Sequence, residues 1–183
     1  MRACPADDDC PSRSDVPEQY RGTPVERLLA WHNGFADEQE PVSGAEMLVG
    51  MCMDNRKKLR IPENFAFILR AGGANLRPSE FKVSFAVAVG GVRSIAVIVH
   101  NQCGMVGLSG RREQFVDGLV DAGWDRETAE QHFDSYAPLF EIGNEIDFVL
   151  AEARRLRARY PKVQVAPLFY DVDDNRLYCL RET

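Results

Sequence analysis

Apolar runs punctuated by glycine and proline divide the chain into extended and helical stretches. Residues 46–53, 65–69 and 95–99 are apolar at successive positions, which predicts strands buried on both faces. The third run, IAVIV, is the purest. Such strands predict a mainly parallel sheet whose crossovers are helices. Between the second and third runs, residues 79–89 are apolar nearly all round and end at Gly90-Gly91, predicting a buried crossover helix. Upstream, Thr23-Pro24-Val25-Glu26 is a capping box with proline at the first helical position. It predicts a helix to about Asn33, stopped at Gly34, with Val25, Leu28, Leu29 and His32 on one face. After Gly104 the period turns helical over 113–122, from an Asp125 cap through Tyr136, and over 145–160. Residues 162–170 and 176–180 predict two further strands around the turn-like DVDDN. The order is helix, strand, strand, helix, strand, three helices, strand, strand, which defines an α/β fold.

Composition then narrows the class. The chain has 183 residues, 45% of them hydrophobic, which suits one compact domain that needs no metal merely to stay folded. Residues 1–20, with Cys4 and Cys10 among Pro, Asp and Ser, read as a flexible leader. Residues 21–183 then form a single domain. The net charge of −6, from 22 basic and 28 acidic residues, argues against a nucleic-acid partner. Arg154, Arg155, Arg157 and Arg159 cluster, but at a predicted helix end, where positive charge complements the helix dipole. No run of about 18 apolar residues exists to span a membrane. The first residues carry three consecutive aspartates and no apolar segment, unlike a signal peptide. The expectation is a soluble cytoplasmic protein.

Five cysteines is an odd number, and in a reducing compartment scattered cysteines are more often buried thiols or metal ligands than disulfides. Cys179, in the last predicted strand, reads as a core or interface residue. Cys52 and Cys103 stand apart. In Cys52-Met53-Asp54-Asn55-Arg56, alternation along an extended chain would point Cys52, Asp54 and Arg56 the same way. A thiol, a carboxylate and a guanidinium suit the carboxyl edge of a parallel sheet, where α/β proteins place their sites. His100-Asn101-Gln102-Cys103-Gly104 follows the IAVIV strand to that same edge. A helix beginning near Cys103 would favour its thiolate. Two thiolates and one imidazole suit zinc, and three protein ligands leave one position open. Either motif alone is weak, and a buried cysteine beside a satisfied histidine remains an alternative at this point.

Together the motifs resemble the β-class carbonic anhydrases. CMDNR, then a strand ending FILRAGG, an apolar helix, and a strand ending HNQCGM follow the family order C-x-D-x-R, R-N-A-G, H-x-x-C-G over residues 45–108. VQVAPLFYDVDDNRLYCL is similar to its closing strand pair. The resemblance implies a mainly parallel sheet flanked by helices, with an N-terminal helical arm, here residues 23–33, reaching over a partner in a homodimer or homotetramer. It implies Cys52, His100 and Cys103 as zinc ligands and Asp54–Arg56 as a dyad in which the arginine frees the aspartate to accept a hydrogen bond from water. Gln39, in a Q-x-P element, would contact substrate from a neighbouring subunit, and Phe67 and Gly72 would line the substrate pocket. Trp31 and His32 read as packing residues and His132 as a surface residue. The chain departs from the family at Val99, where glycine usually stands, at Ala71-Gly72, which lacks the asparagine, and at Asn101, where serine or threonine is common.

The implied activity is reversible hydration of carbon dioxide to bicarbonate by a zinc-bound hydroxide. Two thiolate ligands would raise the pKa of that water and push activity toward alkaline pH. Two alternatives remain: a carbonyl sulfide or carbon disulfide hydrolase on the same fold, and a catalytically weak zinc-binding dimeric module.

Overall fold

The structure, a computed structural model, describes residues 13–36 and 42–181. In chain order its main elements are α1 (Pro24–Asn33), β1 (Met47–Met51), β2 (Ala66–Arg70), α2 (Glu80–Ala88) and β3 (Ser94–His100). There follow α3 (Arg112–Asp121), α4 (Arg126–Phe140), α5 (Glu145–Arg159), β4 (Gln164–Asp171) and β5 (Arg176–Cys179). The strands form a sheet in the order β2-β1-β3-β4-β5. β2, β1, β3 and β4 run parallel, and β5 returns antiparallel to β4. Parallel neighbours need long crossovers. α2 bridges β2 to β3, and α3 to α5 bridge β3 to β4.

Period-two alternation sorts the strand residues into two cores. Met47, Val49, Met51, Ala96, Ile98, Leu168 and Tyr170 pack with Val25, Leu28 and Leu29 of α1. Leu48, Ile95, Val97, Val99 and Val165 pack with Val83 and Ala86 of α2 and with Val149, Ala153 and Leu156 of α5. The sheet is thus flanked by helices on both faces. Gly50 belongs to the second side, where a Cβ would lie 2.6 Å from a Leu76 methyl.

Two expectations need correction, and α1 shows a packing that the sequence did not reveal. α1 forms as predicted, with Thr23 capping the Val25 amide and Gly34 closing it at φ 81°. Its apolar face is already spent on its own sheet, and Asn33 exchanges hydrogen bonds with the Leu177 backbone in β5. Residues 13–20, expected to belong to the leader, include two 3-10 turns that bury Val16 and Tyr20. The Tyr20 hydroxyl donates to the Val165 carbonyl at 3.1 Å. β2 and α2 are not covered on both sides. β2 is an edge strand with Phe67 and Ile68 exposed, and α2 leaves Phe81 82% exposed along with Phe85. Apolar composition marked these faces as apolar but could not tell an inner strand from an edge.

The arginines near the end of α5 act through particular partners. Arg155 pairs with Glu80 and with buried Glu152, and Arg157 donates to the Val165 carbonyl. Among the described residues, no helix is long and apolar enough to cross a membrane.

His32 ties distant segments together. Its Nδ1 accepts the Arg60 amide at 3.2 Å, which leaves Nε2 to donate to the Asn175 carbonyl at 3.1 Å. Only the neutral ring can do both. Burial accordingly lowers its pKa from 6.5 to about 4. Between those values the unfolded chain binds more protons, so this contribution is intact above pH 6.5 and is lost as pH falls toward 4. Thermal unfolding should lose on the order of 2–3 kcal/mol across that window. A His32→Gln variant should show a flatter pH dependence there, and an equally steep one would contradict the assignment.

Candidate metal centre

The site begins with strand register. Met51 of β1 lies beside Ile98 of β3 in parallel alignment. Cys52 therefore leaves β1 at the same sheet edge where His100 ends β3. The chain past His100 then turns back on itself. Gln102 takes a positive φ of 57°, and the Val106 amide closes the turn on the Cys103 carbonyl at 3.1 Å. No helix begins at Cys103, so the expected helix-terminus effect on its thiol is absent. Its amide instead donates to Glu145 Oε1 at 3.4 Å.

This brings Cys52 Sγ, Cys103 Sγ and a His100 ring nitrogen within 4.8 Å of one another, all three residues buried. The sulfurs are 3.9 Å apart, close to the ~3.8 Å that tetrahedral coordination with zinc–sulfur bonds of about 2.3 Å requires. His100 Nδ1 donates to the Asn101 carbonyl at 2.7 Å, which fixes the tautomer and leaves Nε2 as an acceptor. That Nε2 is buried and has no hydrogen-bond partner among the described residues. A buried acceptor left unpaired is costly, and a cation between the three groups would satisfy it. The thiols show the same need. Cys103 and then His100 push the Cys52 thiol far down, while Cys52 and burial push Cys103 up. The pair holds one proton tightly, and a metal ion would displace it. Cys52, His100 and Cys103 could thus hold a metal ion. Ile142 packs against both thiols, with Met105, Val106 and Phe148 around them.

Asp54 sits at the mouth of this cluster. Its Oδ2 is 3.9 Å from His100 Nε2. Arg56 grips the carboxylate with Nε at 3.1 Å from Oδ1 and a terminal nitrogen at 2.7 Å from Oδ2, and its own amide donates to Oδ1 at 2.9 Å. This fork holds Asp54 well below the usual carboxylate range. Arg56 is steadied in turn by Gln102 Oε1 at 3.1 Å. Extended-strand alternation does not bring these residues together, because β1 ends at Met51. A tight turn at Asn55-Arg56 does so instead.

Of the remaining sequence candidates, Gln39 lies outside the described residues. Phe67 is not brought to the cluster within one chain. It pairs in register with Leu48, near the other end of β1, and its ring packs over Gly90. Gly72 lies beneath Met105, whose sulfur would be 2.9 Å from an added Cβ. Two groups were given no role of their own in the sequence reading, although Arg70 falls in the stretch likened to R-N-A-G. Arg70 donates to the carbonyls of Cys52, Asp54 and Lys57 at 3.2, 3.3 and 3.1 Å. A guanidinium ending a strand beside a ligand loop is the available signal. Lys57 is buried next to the same loop, and nothing in the pattern distinguished it from its neighbour Lys58.

No family model matches the chain, and no curated protein matches it. Solved structures do share its fold. A carbonic anhydrase from Glaciozyma antarctica is 21% identical over 91% of this chain and 100% of that one, with a TM-score of 0.63. β-Carbonic anhydrase isoform I from Trichomonas vaginalis is 15% identical over 85% and 93%, with a TM-score of 0.62. A carbon disulfide hydrolase is 19% identical over 78% and 82%, with a TM-score of 0.56. The fold is therefore that of the β-carbonic anhydrases.

Arg70 supports the ligand loop through backbone carbonyls alone. An Arg70→Met variant should bind a metal ion about 10–100-fold more weakly, read by competition with a chromophoric chelator. Unchanged affinity would show that the loop holds its shape without it.

Proposed function

We propose that the chain is a zinc-dependent carbonic anhydrase that interconverts carbon dioxide and bicarbonate. The observation that carries this reading is the convergence of two buried thiols and an unpartnered imidazole nitrogen at a carboxyl sheet edge. Cys52, His100 and Cys103 would hold the ion. Zinc held there supplies a Lewis-acid charge that acidifies water toward neutral pH.

The chain's own residues do the rest. Arg56 keeps Asp54 ionised and fixes its direction, so its oxygens can only accept. Asp54 Oδ2 is thereby placed to take a hydrogen bond from water at the site and orient it. The Asp54–Arg56 pairing also restrains the carboxylate from entering the thiol cluster itself. Burial of Cys52, Cys103 and His100 against Ile142 and Met105 excludes bulk water and surrounds the cluster with apolar atoms. Such a lining suits a small apolar molecule such as carbon dioxide.

The edge strand favours a homodimer. A parallel edge, unpaired among the described residues and carrying exposed Phe67 and Ile68, continued by Phe81, Phe85 and Val89 near α2, invites strand pairing unless covered. A second copy related by a two-fold axis would present the same edge and close the assembly. Phe67 would then reach substrate across that interface.

One observation favours a second reading. The same fold carries a carbon disulfide hydrolase, and Val99 and Asn101 border His100 with residues unusual for carbonic anhydrases. Stopped-flow assays of zinc-loaded protein separate the cases. Carbon dioxide hydration should rise toward alkaline pH and fall about 100-fold or more in Asp54→Ala, with zinc content unchanged. Turnover on carbon disulfide or carbonyl sulfide alone would replace the substrate. Zinc without turnover would leave a binding module, and the absence of zinc would overturn the reading. In light scattering the chain should run as a dimer or a multiple of it, and Ile68→Lys should reduce it to smaller species. An Ile68→Lys variant of unchanged mass would place the interface elsewhere.

A further inference from the structure

Arg56 directs Asp54, yet the two alone could not keep that direction. The Arg56 side chain is 44% exposed, and an exposed ion pair is held only weakly against competing water. What sets this pair apart is a second group of anchors on the loop after β3. Arg56 Nη1 donates to Gln102 Oε1 at 3.1 Å, and Nη2 donates to the Gln102 carbonyl at 3.3 Å. The Gln102 side-chain nitrogen donates in turn to the two oxygens of Asp173, at 3.3 and 3.5 Å. Asp173 lies in the turn between β4 and β5. Its amide is held by Asp171 Oδ1 at 2.9 Å, and its carboxylate also accepts Asn101 Nδ2 at 3.1 Å.

We propose that Gln102 and Asp173 are positioning residues that extend the Asp54–Arg56 pair into a four-membered chain and so fix the direction of Asp54. This deepens the proposed function and rests on it. Along the chain the charges run anion, cation, neutral amide, anion. Glutamine suits the joint because it presents oxygen to the guanidinium and N–H bonds to the carboxylate, so each end meets the charge it favours. A carboxylate at position 102 would repel Asp173 and compete with Asp54 for Arg56. A cation there would repel Arg56. With Nη1 and Nη2 tied to the second loop, the guanidinium plane is held from turning. Asp54, gripped through Nε and Nη2, is held with it. Its Oδ2 stays 3.9 Å from His100 Nε2, at the mouth of the thiol cluster. Gln102 and Asp173 act through Arg56 and need touch no substrate.

The test reads Arg56 itself as well as turnover. In heteronuclear NMR of the chain with and without zinc, the Arg56 Nε–H, identified by its loss in Arg56→Lys, should exchange slowly with water. Gln102→Ala, Asp173→Ala and the double variant should each speed that exchange about tenfold in both forms. In stopped-flow hydration of carbon dioxide, kcat should fall about tenfold in each single variant with KM unchanged. The double variant should fall no further, because members of one chain are not additive. If Gln102→Ala upsets the left-handed turn at φ 57°, Gln102→Asn serves in its place, since asparagine tolerates that backbone and its amide ends one methylene short. Unchanged Nε–H exchange in the single variants, or a double variant about a hundredfold slower in turnover than wild type, would overturn the inference and leave the zinc reading standing. Wild type that takes up no zinc would overturn the proposed function, and the Nε–H exchange would still decide whether this chain of contacts holds Arg56.

Discussion

The parallel pairing of β1 with β3 is the constraint from which the site follows. It aligns Met51 with Ile98, so both strands discharge their loops at one sheet edge. An antiparallel pairing would have sent Cys52 and His100 to opposite ends. Because both strands are buried along their whole length, a slip in register would turn apolar residues toward the wrong core. Packing of the two cores thus holds donors that stand 51 residues apart, with sulfurs 3.9 Å from each other.

Around that pairing, the loops are held by polar contacts rather than by apolar burial. Arg70 collects three carbonyls of the segment after β1. Asn101 does the equivalent after β3, donating to Asp171 and Asp173 and accepting the Val172 amide. Arg56 joins the two loops through Asp54 on one side and Gln102 on the other. Charge-assisted hydrogen bonds of this kind define direction as well as distance, which a site of three small ligand atoms requires.

Much of this was legible in the sequence, for definite reasons. Buried parallel strands advertise themselves as unbroken apolar runs, and the caps Thr23 and Asp125 or the stop at Gly34 mark helix ends. The C-x-D-x-R and H-x2-C spacings marked the ligand loops because polar residues directly after such strands have few structural uses. What escaped was relational. Periodicity could not show that β2 is an edge or that α2 stays half open, since both facts depend on what lies beside them. Nor could it show that α1 spends its apolar face on its own sheet. The turn at Asn55-Arg56, not strand alternation, aligns Asp54 with Arg56. Lys57 was invisible because side-chain burial of a lysine is set by the loop folding over it.

The mooring of Asn101 to the β4–β5 turn has a consequence for biogenesis. Asp171 lies 70 residues downstream of Asn101, so the ribosome delivers that anchor long after both thiols have emerged. Until β4 docks beside β3, the nascent chain carries Cys52 and Cys103 without the framework that shapes their loop. Assembly of the centre is thus a late event in synthesis, and the interval before it is when those sulfurs are open to oxidants or to stray metal ions.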